Sequence, residues 1–152
     1  MKPAEITSEF YKALARPNGW QSIRDFYSKL HYLEKSDIEE GLLATFDHRS
    51  FTAHNVGCAI LWCLRVPFTR ELTSGLAQLL INWDLSTEEL PFYLSDACGR
   101  TNLNHAVEKL LGSVEAGSDT ARKLNTIQFW LSADDLAIND HRMSWLRKLA
   151  VG

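Results

Sequence analysis

The chain has 152 residues, 45% of them hydrophobic and 23% charged, with a formal net charge of -3. That is enough chain for one domain to bury a sizeable core without a metal or disulfide, and the composition excludes disordered, collagen-like and disulfide-scaffold classes. Residues 1–50 carry 7 cations and 8 anions, residues 51–100 carry 3 and 5, and residues 101–152 carry 6 and 6. No segment has the basic footprint of a nucleic-acid binder, so direct nucleic-acid binding is not expected.

The apolar spacing is helical almost throughout. Ile6, Phe10 and Leu14 mark one face of a first helix, which the Pro17-Asn18-Gly19 turn ends; Trp20, Ile23, Phe26, Tyr27 and Leu30 continue as a second. Ser36-Asp37-Ile38-Glu39 reads as a capping box, the Ser and Glu side chains satisfying free N–H groups at a helix start. It would open a third helix through Ile38, Leu42, Leu43 and Phe46. Residues 51–65 form a helix apolar on most sides, expected to be the central buried element, with Pro67 after it.

Thr69 is placed to cap a helix carrying Leu72, Leu76, Leu79 and Leu80. Ser86-Thr87-Glu88-Glu89 reads as a second capping box, before Leu90, Leu94, Ala97 and Cys98 and a stop at Gly99. Pro91 requires a kink or a helix restart there. Ala106, Val107, Leu110 and Leu111 form a short helix ending at Gly112. Ser118 caps one carrying Leu124, Ile127, Phe129, Trp130 and Leu131. A last helix holds Met143, Trp145, Leu146 and Leu149. Alternating strand runs are absent, and the whole of 1–152 reads as one all-α domain.

Gly41-Leu42-Leu43 and Gly75-Leu76, 34 residues apart, suggest an internal helix-pair repeat. The expected architecture is a short, right-handed α-solenoid-like array of antiparallel helix pairs, HEAT- or ARM-like; the alternative is a compact orthogonal bundle.

Catalytic and metal signatures are missing from the sequence: no glycine-rich phosphate loop, no Gly-x-Ser-x-Gly, no His-Glu-x-x-His and no Cys-x-x-Cys. The five histidines give no i, i+4 pair, and neither metal nor cofactor is expected. Asp-His-Arg occurs twice, at 47–49 and 140–142. The first reads as interhelical turn polarity and the second as a solvated helix start. Cys58 and Cys63, about 140° apart on a helix, are wrongly spaced for shared metal ligation and read, like Cys98, as buried free thiols of a reducing compartment. No apolar h-region opens the sequence and its longest apolar run is nine residues, so the expectation is a cytoplasmic protein without membrane contact.

Two acidic groups stand out, Glu34, Asp37, Glu39 and Glu40 at one helix start and Asp84, Glu88 and Glu89 at another. The helix dipole accounts for both. If the helix starts share an edge, they also form an acidic strip suited to a basic protein partner. Trp83, at a helix end between Asn82 and Asp84, is the candidate aromatic anchor. The expected partner-binding set is Asp37, Glu39, Glu40, Trp83, Asp84, Glu88 and Glu89.

The stretch from Gly41 to Gly112 resembles HEAT-like helical repeats. Leu42-Leu43-Ala44-Thr45-Phe46-Asp47, the apolar Val56–Leu64 segment and Leu79-Leu80-Ile81-Asn82-Trp83-Asp84 look like a group of small all-α immunity proteins that accompany bacterial polymorphic or contact-dependent toxins. The resemblance implies an intracellular, non-enzymatic protein that binds and blocks one cognate toxin, often a basic nuclease. A helical-repeat adaptor for another protein, or an enzyme whose site is assembled from distant residues, are the competing expectations.

Overall fold

A computed structural model of the chain describes residues 1–150. Among these the protein is all-α, 73% helical with no strand. Its helices are α1 (Pro3–Ala15), α2 (Gln21–Leu30), α3 (Lys35–Leu43), α4 (Phe51–Cys63), α5 (Leu72–Leu80), α6 (Glu89–Cys98), α7 (Arg100–Leu111), α8 (Asp119–Leu131) and α9 (Asp135–Ala150), with a 3₁₀ turn at Ala44–Asp47. No helix is long and apolar enough to cross a membrane.

The α4 helix is central because its sequence leaves it no polar face. Every residue from Val56 to Cys63 is buried, and α4 meets α1, α3, α6 and α9. Ser50 caps its start by accepting from the Ala53 N–H. It ends two residues earlier than the periodicity suggests, since Arg65 turns into the left-handed region at φ 51°.

Helices two apart in the chain pack side by side: α1 on α3, α4 on α6, α5 on α7 and α6 on α8. Asn55 meets Glu89 near the starts of α4 and α6, and Arg65 meets Asp96 near their ends, so these two run parallel. Such a path fits a helical array. The last helix departs from it. From the far end of the sequence, α9 returns to cover α2 and α4, with Trp145 edge-on to Trp20, their ring centroids 5.9 Å apart. This closing contact is the feature a compact bundle would have.

Several caps differ from the sequence reading. Helix α3 starts at Lys35 with Glu34 before it, so Ser36 already lies inside the helix. Thr69 does not cap α5; Glu71 does, accepting from the Ser74 N–H at 2.6 Å. Ser86 turns back to Asp84 through both its N–H and its hydroxyl. Helix α6 begins at Glu89, which puts Pro91 in the first turn, where its missing N–H costs no helical hydrogen bond. Gly99, at φ 91°, makes the corner between α6 and α7 as expected of a helix-stopping glycine.

Candidate functional site

The two Ser-x-x-Glu boxes have a common fate. Each glutamate, instead of reaching back to its own helix start, is a buried hydrogen-bond hub for another part of the chain. The Glu39 carboxylate accepts the Thr69 N–H and hydroxyl, both at 2.7 Å, tying α3 to the segment before α5. Glu89, only 2% exposed, accepts from Asn55 Nδ2 at 2.8 Å on one oxygen. Its other oxygen meets His141 Nε2 at 3.0 Å and accepts from Trp145 Nε1 at 3.1 Å. A buried carboxylate is tolerated where donors replace its lost hydration, and three do so here.

The acidic groups do not share an edge. Lys35 donates to the Arg65 carbonyl, so the start of α3 lies at the C-terminal end of α4. Glu89 lies beside Asn55, at the N-terminal end. Thirteen helical residues separate these ends, a span of about 20 Å. The structure therefore gathers Trp83, Asp84, Glu88 and Glu89 and leaves Asp37, Glu39 and Glu40 elsewhere. The continuous acidic strip anticipated from the repeat register is not present. Within the two groups Glu40 and Asp84 are exposed, Asp37 and Glu88 are half-buried, and Glu39 and Glu89 are buried.

Trp83 is not a surface anchor. It is 2% exposed, and its indole N–H donates to Thr87 Oγ1 at 2.6 Å. The polar residues flanking it in sequence suggested exposure; the following turn folds over the ring.

Three exposed apolar side chains come from neighbouring elements: Phe51 at the start of α4, Ile81 just after α5 and Phe129 late in α8. Phe51 is 50% exposed, Ile81 66% and Phe129 66%. Phe51 borders a cleft of about 290 Å³ formed with Arg49, Asn82, Asp84, Asp119 and Arg122. Ile81 borders a second depression that shares Asn82 with it, and Phe129 a third that shares Arg122. Three large apolar side chains thus rim one run of adjoining hollows whose charges are mixed in sign. Lys123 beneath them is buried, donating to the Leu80 and Ile81 carbonyls at the end of α5 and pairing with Asp119 at 3.3 Å. Asp84 is held below the usual carboxylate range, first by the Ser86 hydroxyl and then by the Ser86 N–H.

Phe51 also borders a groove of about 360 Å³ under α9, lined by Trp20, Asn55, Glu89, His141, Ser144, Trp145 and Lys148. The Lys148 ammonium lies 5.0 Å from the Trp145 ring centre and 5.6 Å from that of Trp20. Hydrogen bonding to Glu89 raises the His141 pKa above its ordinary value, against the opposing effect of burial. Glu88 Oε1 lies 3.4 Å from the same imidazole nitrogen. Glu88, Glu89 and His141 are also the residues able to hold a metal ion among those described.

The tripeptide 140–142 is therefore not a solvated helix start. It lies within α9 and two of its side chains turn inward, His141 to Glu89 and Arg142 to the Trp62 and Cys63 carbonyls at the end of α4. No spacing signal pointed to this pairing, since His141 and Glu89 are 52 residues apart. Phe129 was more readable. The buried positions of α8 include Ala121, Leu124, Ile127 and Leu131, which leaves 129 on the opposite face.

Compared with protein-family models, curated proteins and solved structures, the chain matches none.

Proposed function

We propose that this protein is a non-enzymatic protein-binding module, and most concretely a cytoplasmic immunity protein that binds and neutralises a cognate bacterial toxin. The observation that carries the binding reading is the set of exposed Phe51, Ile81 and Phe129 along adjoining hollows of mixed polar and apolar lining. Large exposed apolar groups set among polar rims are characteristic of protein contact surfaces. Asp84 and the half-buried Glu88 at the same end of α4 would supply the acidic component for a basic toxin domain, in place of the strip expected across both groups. Asp37, Glu39 and Glu40, at the other end, fall outside this contact.

The toxin assignment itself rests on the sequence resemblance. Its test is co-expression with the product of the gene immediately upstream. Rescue of growth and a 1:1 complex on size-exclusion chromatography support it. A neighbouring product that is harmless when expressed alone, or whose toxicity persists on co-expression, contradicts it. A stable complex with a non-toxic protein would favour a helical-repeat adaptor instead.

A further inference from the structure

Two carboxylates and an imidazole meet where the start of α6 reaches a side chain of α9. His141 Nε2 lies 3.0 Å from Glu89 Oε1 and 3.4 Å from Glu88 Oε1, and the three ligand-type atoms lie within 4.8 Å of one another. We propose that Glu88, Glu89 and His141 bind a divalent cation of the zinc class, clipping the last helix to the centre of the fold.

Zinc bonds to His nitrogen and carboxylate oxygen run at about 2.0–2.2 Å. Two such ligands at a tetrahedral angle are then about 3.4 Å apart, and at a right angle about 2.9 Å. The observed separations from His141 are of this size, so the imidazole and either carboxylate could share a cation with little movement of those side chains. One nitrogen and two oxygen donors suit zinc and its neighbours better than calcium or magnesium, which favour all-oxygen shells.

The surroundings are those of a supported ligand set. Asn55 fixes the other oxygen of Glu89, and the Trp145 N–H donates to the oxygen facing His141. Groups of this kind orient metal ligands and tune them. Two carboxylates with a neutral imidazole carry a charge of -2, which a divalent cation cancels. The groove under α9 adjoins this point, with Thr52 and Ser144 among its lining residues, and gives water a route to the remaining coordination positions. Nearby Arg142 is directed away to the Trp62 and Cys63 carbonyls. Glu88 figures in both this site and the proposed toxin contact, but the site rests on its ligand geometry alone and is tested without a toxin.

The test is calorimetric titration of the EDTA-treated, dialysed full chain with Zn²⁺, and with Co²⁺ while tryptophan fluorescence is recorded. One saturable equivalent is expected, with Co²⁺ quenching emission because the Trp145 indole contacts a ligand oxygen. Glu88→Gln, at a half-buried position, should weaken Zn²⁺ binding at least tenfold while the metal-free melting temperature stays within a few degrees of wild type. His141→Gln should abolish the binding. Absence of a saturable equivalent overturns the proposal, as does binding that Glu88→Gln leaves unchanged, which would place the metal on other histidines. If His141→Gln does not fold, Glu88→Gln decides.

Discussion

His54 lies flat on Phe46, the ring centroids 4.0 Å apart and the planes within 3°. Its Nε2–H is shared between the Thr45 and His48 carbonyls at 3.0 and 2.9 Å, while Nδ1 is buried without a partner. Burial lowers the pKa of the ring, and the two carbonyls and Asp84 only partly oppose it. The folded state therefore binds fewer protons than the unfolded state in the interval between its lowered pKa and the unfolded value of 6.5. The stabilisation is complete above the unfolded value and is lost as pH falls through the folded one. From pH 7.5 to 5.5 the unfolding free energy of wild type should drop relative to His54→Gln, with a slope difference no greater than about 1.4 kcal/mol per pH unit. Parallel denaturation curves for the two proteins would show that this ring does not sense acid.

Glycine tolerance should differ sharply between α3 and α4. A Cβ on Gly41 would sit 2.8 Å from Ile6 Cβ and 2.9 Å from the Pro3 carbonyl oxygen, atoms with little freedom to retreat. The same residue accepts the Thr7 hydroxyl at 2.6 Å, so any shift of α3 loosens that bond too. Gly41→Ala should cost about 1–3 kcal/mol. On Gly57 the nearest atom would be Phe10 Cε2 at 3.5 Å, an ordinary contact. Gly57→Ala should be neutral or stabilising by up to about 1 kcal/mol. Urea denaturation of both variants checks the contrast, and equal effects would refute it.

Charge reversal separates the two adjacent glutamates of α3. Glu39→Lys removes the acceptor for Thr69 and buries a cation in its place, and should destabilise by about 3 kcal/mol or more. Glu40→Lys, at an exposed position, should fall within about 0.5 kcal/mol of wild type. Melting temperatures suffice; a Glu39→Lys protein as stable as wild type would mean the Thr69 tie contributes nothing.

The three thiols should label slowly and in order. Burial raises the pKa of each: Cys58, fully enclosed, well above its usual value, Cys63 to about 11, and Cys98 less strongly. Cys98 is half-buried and the other two are buried. Native-state alkylation followed by mass spectrometry should modify Cys98 first and Cys58 last. Rapid modification of Cys58 without denaturant would contradict the packing of α4.

The helices were legible because their apolar periods are local and strong, as in α4, where the absence of a polar face announced the core. Glycine stops and the Ser118 cap were legible for the same reason. The roles of Glu39 and Glu89 were not. A Ser-x-x-Glu pattern is compatible with a capping box, but in both places a distant donor set competes for the carboxylate and wins. Thr69 is 30 residues from Glu39, and His141 and Trp145 are 52 and 56 from Glu89. No sequence period connects them. Trp83 failed for a related reason: polar neighbours in sequence say nothing of a turn that folds back over a ring. The exposed face lay between these extremes, since Phe129 was out of phase with its helix while Phe51 gave no such sign.

The proposed binding face is the apolar rim formed by Phe51, Ile81 and Phe129. Its most direct test is the dissociation constant of the complex with the upstream gene product, measured for Phe51→Asp, Phe129→Asp and, as a control, Tyr32→Asp. Tyr32 is 90% exposed but lies beyond the C-terminal end of α2, away from the hollows. At least one rim substitution should weaken binding by about thirtyfold, equivalent to about 2 kcal/mol, while Tyr32→Asp leaves it unchanged and all three proteins stay folded. Unaltered affinity in both rim variants, or a loss confined to Tyr32→Asp, would place the contact elsewhere on the molecule.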